Sequence, residues 1–285
     1  MRSIVAGTGY TGARILAALA GAVGINRQLP PNIGEQDFFV RDLDQASIEP
    51  VVMNERSAMI YSIPPALDDA DATRLERLLR TIQPALFRAV YLSTTGVYGD
   101  QQGNLTGESA PLSPLNARAM RRLADEQRLL SYGKQHDCEI IILRVPGIYG
   151  PGRLGIERIQ SGTVFIREAD AYPGNRIHVE DLVRCCIAAL RPETPPGIYN
   201  VGDGDHRSSI AFATNIAELA GLQPPPTVSR ATANETFSEL RLSFLRESRT
   251  LDTTKMREVL GVEPHYSNPE DGIRASLIED GLLKG

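Results

Sequence analysis

Three glycines close to the start of the chain constrain its fold more than any other feature. Gly7, Gly9 and Gly12 stand in the spacing Gly-x-Gly-x-x-Gly within the stretch Ser3 to Leu16. A short apolar run of β type, Ile4 to Ala6, precedes them, and an Ala/Leu-rich helical pattern follows at once. Glycine triplets arise by chance, so the spacing has a mechanism only between a strand and a helix, which is where it falls here. Gly7 permits the tight turn, Gly9 lets backbone approach a pyrophosphate, and Gly12 lets the helix pack closely on the strand. The helix N-terminus beyond the turn presents unpaired N–H groups and a positive dipole end to phosphates. The stretch therefore reads as a dinucleotide-binding turn built from Gly7, Thr8, Gly9, Tyr10, Thr11 and Gly12.

The rest of the chain alternates. Ala22 to Ile25 reads as a second strand ending at Asn26-Arg27, residues 28 to 36 as a loop, and Asp37 to Val40 as a third strand. Ala58 to Ile63, which contains Ser62, is a fourth strand stopped by Pro64-Pro65. Arg88 to Leu92 is a fifth, Glu139 to Arg144 a β-branched sixth, and Ile198 to Val201 one more. Helical patterns run through Ala72 to Ile82, Ala117 to Leu130, His178 to Leu190, and near 209–221 and 252–260. Alternating strands and helices with short links predict a parallel sheet covered on both faces. The expected fold is α/β, a Rossmann-type doubly wound parallel sheet with a smaller C-terminal substrate lobe. Residues 1–151 plus 177–203 form its dinucleotide-binding domain. Residues 152–176 plus 204–285 form the lobe, laid over the carboxyl edge of the sheet where such folds hold substrate.

Composition removes several function classes. At 285 residues the chain can bury a full core, and 42% hydrophobic with 23% charged residues is ordinary for a globular protein. A net charge of −5 gives no broad electrostatic case for nucleic acid or an anionic membrane. No run of 18 apolar residues exists and the N-terminus enters a strand directly, so a cytosolic (cytoplasmic) location is expected. The three cysteines, Cys138, Cys185 and Cys186, read as reduced core thiols, and the four histidines are too scattered for a metal site. An NAD enzyme usually ends its second strand in Asp or Glu to hold the ribose 2′-hydroxyl. Asn26-Arg27 offers no acid, and Arg27 is instead a candidate for a 2′-phosphate. NADP is therefore expected ahead of NAD, the alternative being a solvated arginine.

Further motifs carry a family likeness. They are Asp42-Leu43 after the third strand, Ser93-Thr94-Thr95-Gly96-Val97-Tyr98-Gly99 after the fifth, Leu143-Arg144-Val145-Pro146-Gly147-Ile148-Tyr149-Gly150-Pro151-Gly152, and Arg176-Ile177-His178-Val179-Glu180-Asp181-Leu182. With the glycine turn they span about residues 3 to 203 in order, and the chain resembles the extended short-chain dehydrogenase/reductases, which include the NAD-dependent sugar epimerases and dehydratases. The resemblance implies that Asp42 and Leu43 meet the adenine ring, that Ser62 belongs with the cofactor residues, and that Pro146 and Gly147 lie beside the nicotinamide. It implies that Thr94 hydrogen-bonds a substrate oxygen. His178 to Asp181 begin a helix, and His178 reads as a packed, hydrogen-bonded core histidine.

One departure bears on mechanism. The family's proton relay is a Tyr-x-x-x-Lys pair on the helix after the fifth strand, yet residues 101 to 131 contain neither tyrosine nor lysine. Alignment on Pro114 and Glu126 puts Arg118 at the tyrosine position and Arg122 at the lysine position. A guanidinium keeps its proton up to a pKa above about 12, so Arg118 cannot cycle one near neutrality. Tyr132-Gly133-Lys134 has the wrong spacing and lies at the far end of the helix. Arg118, Arg121 and Arg122 form either a solvated face supported by Asp125 and Glu126 at i+4 or an anion site facing the nicotinamide.

Thr94, Arg118 and Arg122 are thus the catalytic candidates. Three functions stay open: an oxidoreductase or epimerase-like enzyme with a substitute proton donor (Thr94 with water, Tyr98 or Tyr149), a catalytically silent NADP-binding regulatory or interaction protein, and a non-redox reaction on an anionic substrate. The expected partner is a small molecule, a nucleotide-sugar or another carbonyl or hydroxyl compound, with Arg153, Arg158, Arg246 and Arg249 as polar candidates in the lobe. A homodimer through 66–82 and 117–131 is also open.

Overall fold

The computed structural model describes residues 2–30, 34, 37–66 and 73–284. Its centre is one seven-stranded sheet. The strands are β1 (Ser3–Ala6), β2 (Val23–Asn26), β3 (Phe38–Val40), β4 (Ala58–Tyr61), β5 (Arg88–Thr94), β6 (Glu139–Val145) and β7 (Gly197–Asn200). Every pairing is parallel and the spatial order is β7-β6-β5-β4-β1-β2-β3. The order reverses at β1, so the crevice outside the carboxyl ends of β1 and β4 is the switch point at which such sheets bind ligands. The fold class expected from alternation is borne out.

Side-chain alternation along the strands divides the core. Val5, Ile60, Val90 and Ile141 face one layer, where they meet Ile15 of α1 (Tyr10–Ala18) and Leu182 and Cys185 of the helix Val179–Ala189. Ile4, Met59, Ala89 and Ile142 face the other, with Leu75 and Leu78 of α2 (Arg74–Thr81) and Leu129 of α3 (Ala117–His136). Both faces are thereby removed from water, as a parallel sheet requires. Cys138, Cys185 and Cys186 are buried and unpaired, as their apolar setting predicts.

Several boundaries differ from the sequence expectation. A capping box between Thr73 and Glu76 starts α2 at Arg74, and Ala72 lies outside the described residues, as does much of the 28–36 loop. Helix α3 runs past Leu130 to His136, where Asp137 turns left-handed at φ 51° and Lys134 and His136 meet the negative dipole end. The pattern near 252–260 gives only Thr254–Glu258. The C-terminal helix Pro269–Glu279 was not expected; its start is marked by Asn268 as cap and Pro269 at the first turn. It packs through Ile273 and Leu277 against Phe212 and Ile216 of Ser209–Leu219, in an apolar cluster apart from the main core.

Beneath the carboxyl edge lies a buried ion pair. Arg144 of β6 donates Nη2 to Glu126 Oε2 of α3 at 2.8 Å, with side chains 1% and 3% exposed. Glu126 also accepts from the Ser93 hydroxyl of β5, and Arg144 lies over the Tyr98 ring. Removing one charge of such a pair leaves the other uncompensated. Glu126→Gln should therefore lower the unfolding free energy by about 3 kcal/mol. The measurement is the urea midpoint at constant slope, and an unmoved midpoint would contradict this account.

Candidate functional site

The glycine turn at the switch point has the geometry its spacing predicts. Gly7 takes φ 90°, and a Cβ on Gly12 would sit 1.7 Å from the Gly7 carbonyl oxygen, so neither position admits a side chain. Gly9 differs: nothing stands within 4 Å of where its Cβ would be. That open space belongs to a cleft of about 490 Å³ lined by Gly7, Gly9, Tyr10, Thr11 and Gly12. Gly9 caps α1 without a side chain, and the first turn holds no acid, so its free N–H groups suit an anion. Ser62 lines the cleft and donates its hydroxyl to the Gly7 carbonyl at 2.8 Å, tying the turn to β4. Thr8 does not line the cleft; its Oγ1 accepts from Asn26 Nδ2 at 2.9 Å. The residues fit the diphosphate of a dinucleotide.

At one end the cleft is walled by Arg27, Arg41, Asp42, Leu43, Asp44 and Arg74. Asn26 also lines this end, its amide donating to Thr8 Oγ1 and accepting from the Arg27 N–H. Arg74 grips Asp44 with two nitrogens, one at 2.7 Å, which lowers the carboxyl pKa. Arg41 reaches the carbonyls of Val40, Glu49 and Pro50. Arg27 is exposed, and among the described residues its guanidinium has no hydrogen-bonded partner.

At the other end stand Thr94, Arg118, Arg122 and Pro146. Thr94 Oγ1 accepts from the Gly96 N–H at 3.2 Å, which leaves its proton free to point into the cleft. Arg122 is 8% exposed and held by Nη1 to Leu92 O at 2.9 Å, the Tyr91 hydroxyl at 3.2 Å and Ile63 O at 3.3 Å. Glu126 faces Arg144 and Ser93, while Asp125 accepts from Tyr91 and Arg128. The solvated-face reading of α3 therefore fails for Arg122, whose partners lie inward on the sheet. Arg118 is exposed, and among the described residues no carboxylate pairs with it.

No tyrosine hydroxyl is poised at this end. Tyr98 is buried and donates to Asn200 Oδ1 at 2.7 Å, and Tyr149 is buried beside His178. Neither lines the cleft, and burial pushes both phenols up. Tyr10 does line it, but its hydroxyl donates to Pro151 O at 2.9 Å. His178 accepts the Glu180 N–H at Nδ1, so Nε2 carries the proton toward Ser276 Oγ at 3.2 Å. This is a packed histidine tying two helices, as expected from its setting.

A second cavity, about 220 Å³, adjoins the far side of β6. Gly147 lines it rather than the cleft, with Tyr149, Arg153, Arg158, Phe165, Arg176 and Phe212. Arg176 is buried on Phe212 and donates to Arg207 O and Ser208 O. Arg246 pairs with Glu239 and Arg249 with Glu247, so neither is free. Sequence reasoning missed Arg41, Asp44 and Arg74, whose approach depends on loops without periodicity. It also missed Asp203, whose buried Oδ2 has no partner; burial pushes that carboxyl up to about 7.

Residues 69–202 match the model of the NAD dependent epimerase/dehydratase family. The chain is 26% identical to a UDP-glucose 4-epimerase of Mycolicibacterium smegmatis across 95% of this chain and 96% of that one. It is 27% identical to the protein YeeZ of Escherichia coli over 64% of this chain and 60% of that one. A functionally unknown conserved protein from Silicibacter pomeroyi superposes with a TM-score of 0.75 at 27% identity, covering 98% of both chains. MoeE5, solved in complex with UDP-glucose and NAD, superposes at 0.77 with 22% identity, covering 99% of this chain and 98% of that one. The likeness read from the motifs is borne out.

Two measurements test the site. Gly9→Ala should fold normally and weaken dinucleotide binding about tenfold, roughly 1.4 kcal/mol, whereas Gly12→Ala should lower the melting temperature. Equal behaviour of the two variants would refute the division of roles. Because the folded pKa of Asp203 lies above its unfolded value, its burial costs stability progressively from about pH 4 to pH 7. Asp203→Asn should then raise the melting temperature at pH 8 by a few degrees, corresponding to about 1 kcal/mol, and not at pH 4.

Proposed function

We propose that this chain, which carries the domain of the NAD dependent epimerase/dehydratase family on a Rossmann-type sheet, is a nicotinamide-dinucleotide-dependent enzyme of the oxidoreductase or epimerase type. Its dinucleotide is NADP, and its substrate is a small anionic carbonyl or hydroxyl compound of the nucleotide-sugar kind. The observation that carries this reading is that a single cleft unites the glycine cradle, Asp42 and Leu43, Arg27, and Thr94 with Arg118 and Arg122. Similarity to a UDP-glucose 4-epimerase supports the substrate class.

In this reading Gly7 to Gly12 hold the diphosphate, Arg27 meets the 2′-phosphate and Arg122 meets the nicotinamide ribose. Pro146 flanks the nicotinamide, and residues 152–176 with 204–285 form the lobe for the substrate. Bound there, the dinucleotide supplies hydride transfer. Thr94 donates its free hydroxyl proton in a hydrogen bond to the reacting oxygen. Arg118 holds negative charge on the substrate but cannot relay a proton, since a guanidinium has no lone pair to accept one and stays charged at neutral pH. The proton that accompanies hydride transfer is then exchanged with water, and losing a positioned acid typically costs about 10²–10⁴-fold.

A second reading, a silent NADP-binding regulatory or interaction protein, is favoured by the engagement of the Tyr10 hydroxyl with Pro151 O. Among the described residues no helix is long and apolar enough to cross a membrane. A cytosolic location belongs to the proposal, as does a homodimer through α2 and α3, whose open groove of about 650 Å³ is lined in part by Leu79, Ala124 and Tyr132. Residues 67–72 of the expected first dimer helix lie outside the described residues.

Thermal unfolding with NAD, NADH, NADP and NADPH tests the reading directly. At a hundredfold excess over Kd a ligand bound only by the native state stabilises by about 2.7 kcal/mol, and NADPH should outperform NADH. Arg27→Asp should reverse that preference. Binding without any transfer of label from 4-deuterated NADPH to carbonyl and nucleotide-sugar compounds would leave the silent protein standing.

A further inference from the structure

The cleft and the second cavity share two wall residues, Ile148 and Arg153. Arg153 is the charged one. Its guanidinium lies 4.0 Å from the centre of the Tyr10 ring, whose other near cation, Arg14, stands at 4.3 Å. Among the described residues Arg153 forms no ion pair and its side chain has no hydrogen-bond partner, so its five N–H donors are open. The two residues that precede it are each anchored. Tyr10 donates its hydroxyl to Pro151 O at 2.9 Å, and the Gly152 N–H donates to Asp280 Oδ2 at 2.8 Å. A Cβ on Gly150 would approach the Tyr10 hydroxyl to 2.7 Å, so the loop can seat on that ring only because it has none.

The walls on the two sides of Arg153 have one chemistry. Toward the cleft is the N-terminus of α1 with the glycine turn. Toward the cavity are Arg158 and Arg176, with Phe165 and Phe212 as apolar faces and, among the described residues, no acidic residue in the lining. Each side suits a phosphate-bearing ligand with a ring. We infer that Arg153, positioned by Tyr10, is a specificity residue that engages the diphosphate of the dinucleotide and that of the second ligand together, coupling the two binding events.

This rests on the functional reading above. Fixing an exposed arginine costs rotamer entropy, and the ligand that arrives first bears that cost for both. Coupling of this origin is reciprocal: each ligand tightens the other by the same factor. Arg14, the other cation against the Tyr10 ring, is an α1 residue and does not line either cavity, so it serves as a control.

The test is a set of calorimetric titrations of the full chain with NADPH and with uridine diphosphate, each alone and each with the other saturating. In the unaltered protein each should tighten the other by about fivefold. Arg153→Ala should still bind both, more weakly, with the factor reduced to about one; Arg14→Ala should keep the full factor. Arg153→Lys, which keeps charge without the planar fork, should fall between. A factor unchanged by Arg153→Ala, or a factor of one in the unaltered protein when both ligands bind, overturns the inference and leaves the functional reading intact. Failure to bind uridine diphosphate also overturns it alone. Failure to bind NADPH overturns both.

Discussion

Contact between two backbones in the first turn sets the rest of the site. α1 starts against the carbonyl of Gly7, at a distance that only the hydrogen of Gly12 tolerates. That carbonyl also accepts from the hydroxyl of Ser62, the residue that follows β4, and the Gly7 N–H is bonded to Ile25 O of β2. The turn is thus fastened to both strands that flank β1, at the point where strand order reverses. Because the turn cannot shift, the N–H groups of α1 face one fixed place, and the cleft is built around that place. Gly9 is the member of the triplet with empty space beside it, so its missing side chain is not required by the packing of the fold.

The floor of the other half is held by charge instead of close packing. Glu126 of α3 is joined to Arg144 of β6 and to Ser93 of β5, which fixes the helix over the sheet edge. One turn earlier on α3, Arg122 is held by two carbonyls and the Tyr91 hydroxyl. A lysine at that position would place a compact point charge on a flexible stem. A guanidinium is planar and its nitrogens diverge, so one can be anchored inward while the others remain at the cleft wall. Arg118, a turn earlier again and exposed, has no such anchor. The two cleft arginines of α3 therefore differ in kind: Arg122 is structural at its inner edge, and Arg118 is an exposed cation at the rim.

How far the chain could be read before its structure follows from what each signal depends on. Gly7, Gly9 and Gly12 were legible because a local spacing dictates a local conformation. That the sheet is parallel followed from alternation, since parallel strands need helical crossovers; the strand order did not. The pairing of Glu126 with Arg144 was not legible, because helical spacing puts Arg122 nearest to Glu126 in sequence while tertiary packing turns the two apart. Gly147 was assigned to the nicotinamide from its motif, yet β6 ends at Val145 and the chain turns, so Pro146 faces the cleft and Gly147 the cavity behind it. Arg153 read as one of four unremarkable lobe arginines. Its distinction arises from Tyr10, 143 positions earlier, and no periodicity connects them.

The electrostatics of the cleft limits which chemistry it can host. Among the described residues six arginines and two aspartates line it, and Asp44 is paired with Arg74. The wall is therefore cationic along its length, although the chain as a whole is acidic at −5. In the proposed reading a ligand carrying several phosphates is drawn to it, and much of the charge is offset on binding. What remains at the Thr94 end is a permanent cation beside a hydroxyl. Such a pair stabilises an oxyanion as it forms, which is the larger part of what many active sites contribute, but it cannot decide when a proton moves. A substrate oxygen there would hold its developing charge until solvent protonates it. In the proposed reading, a cleft end that carries Thr94 with Arg118 and Arg122 controls the charge without controlling the proton.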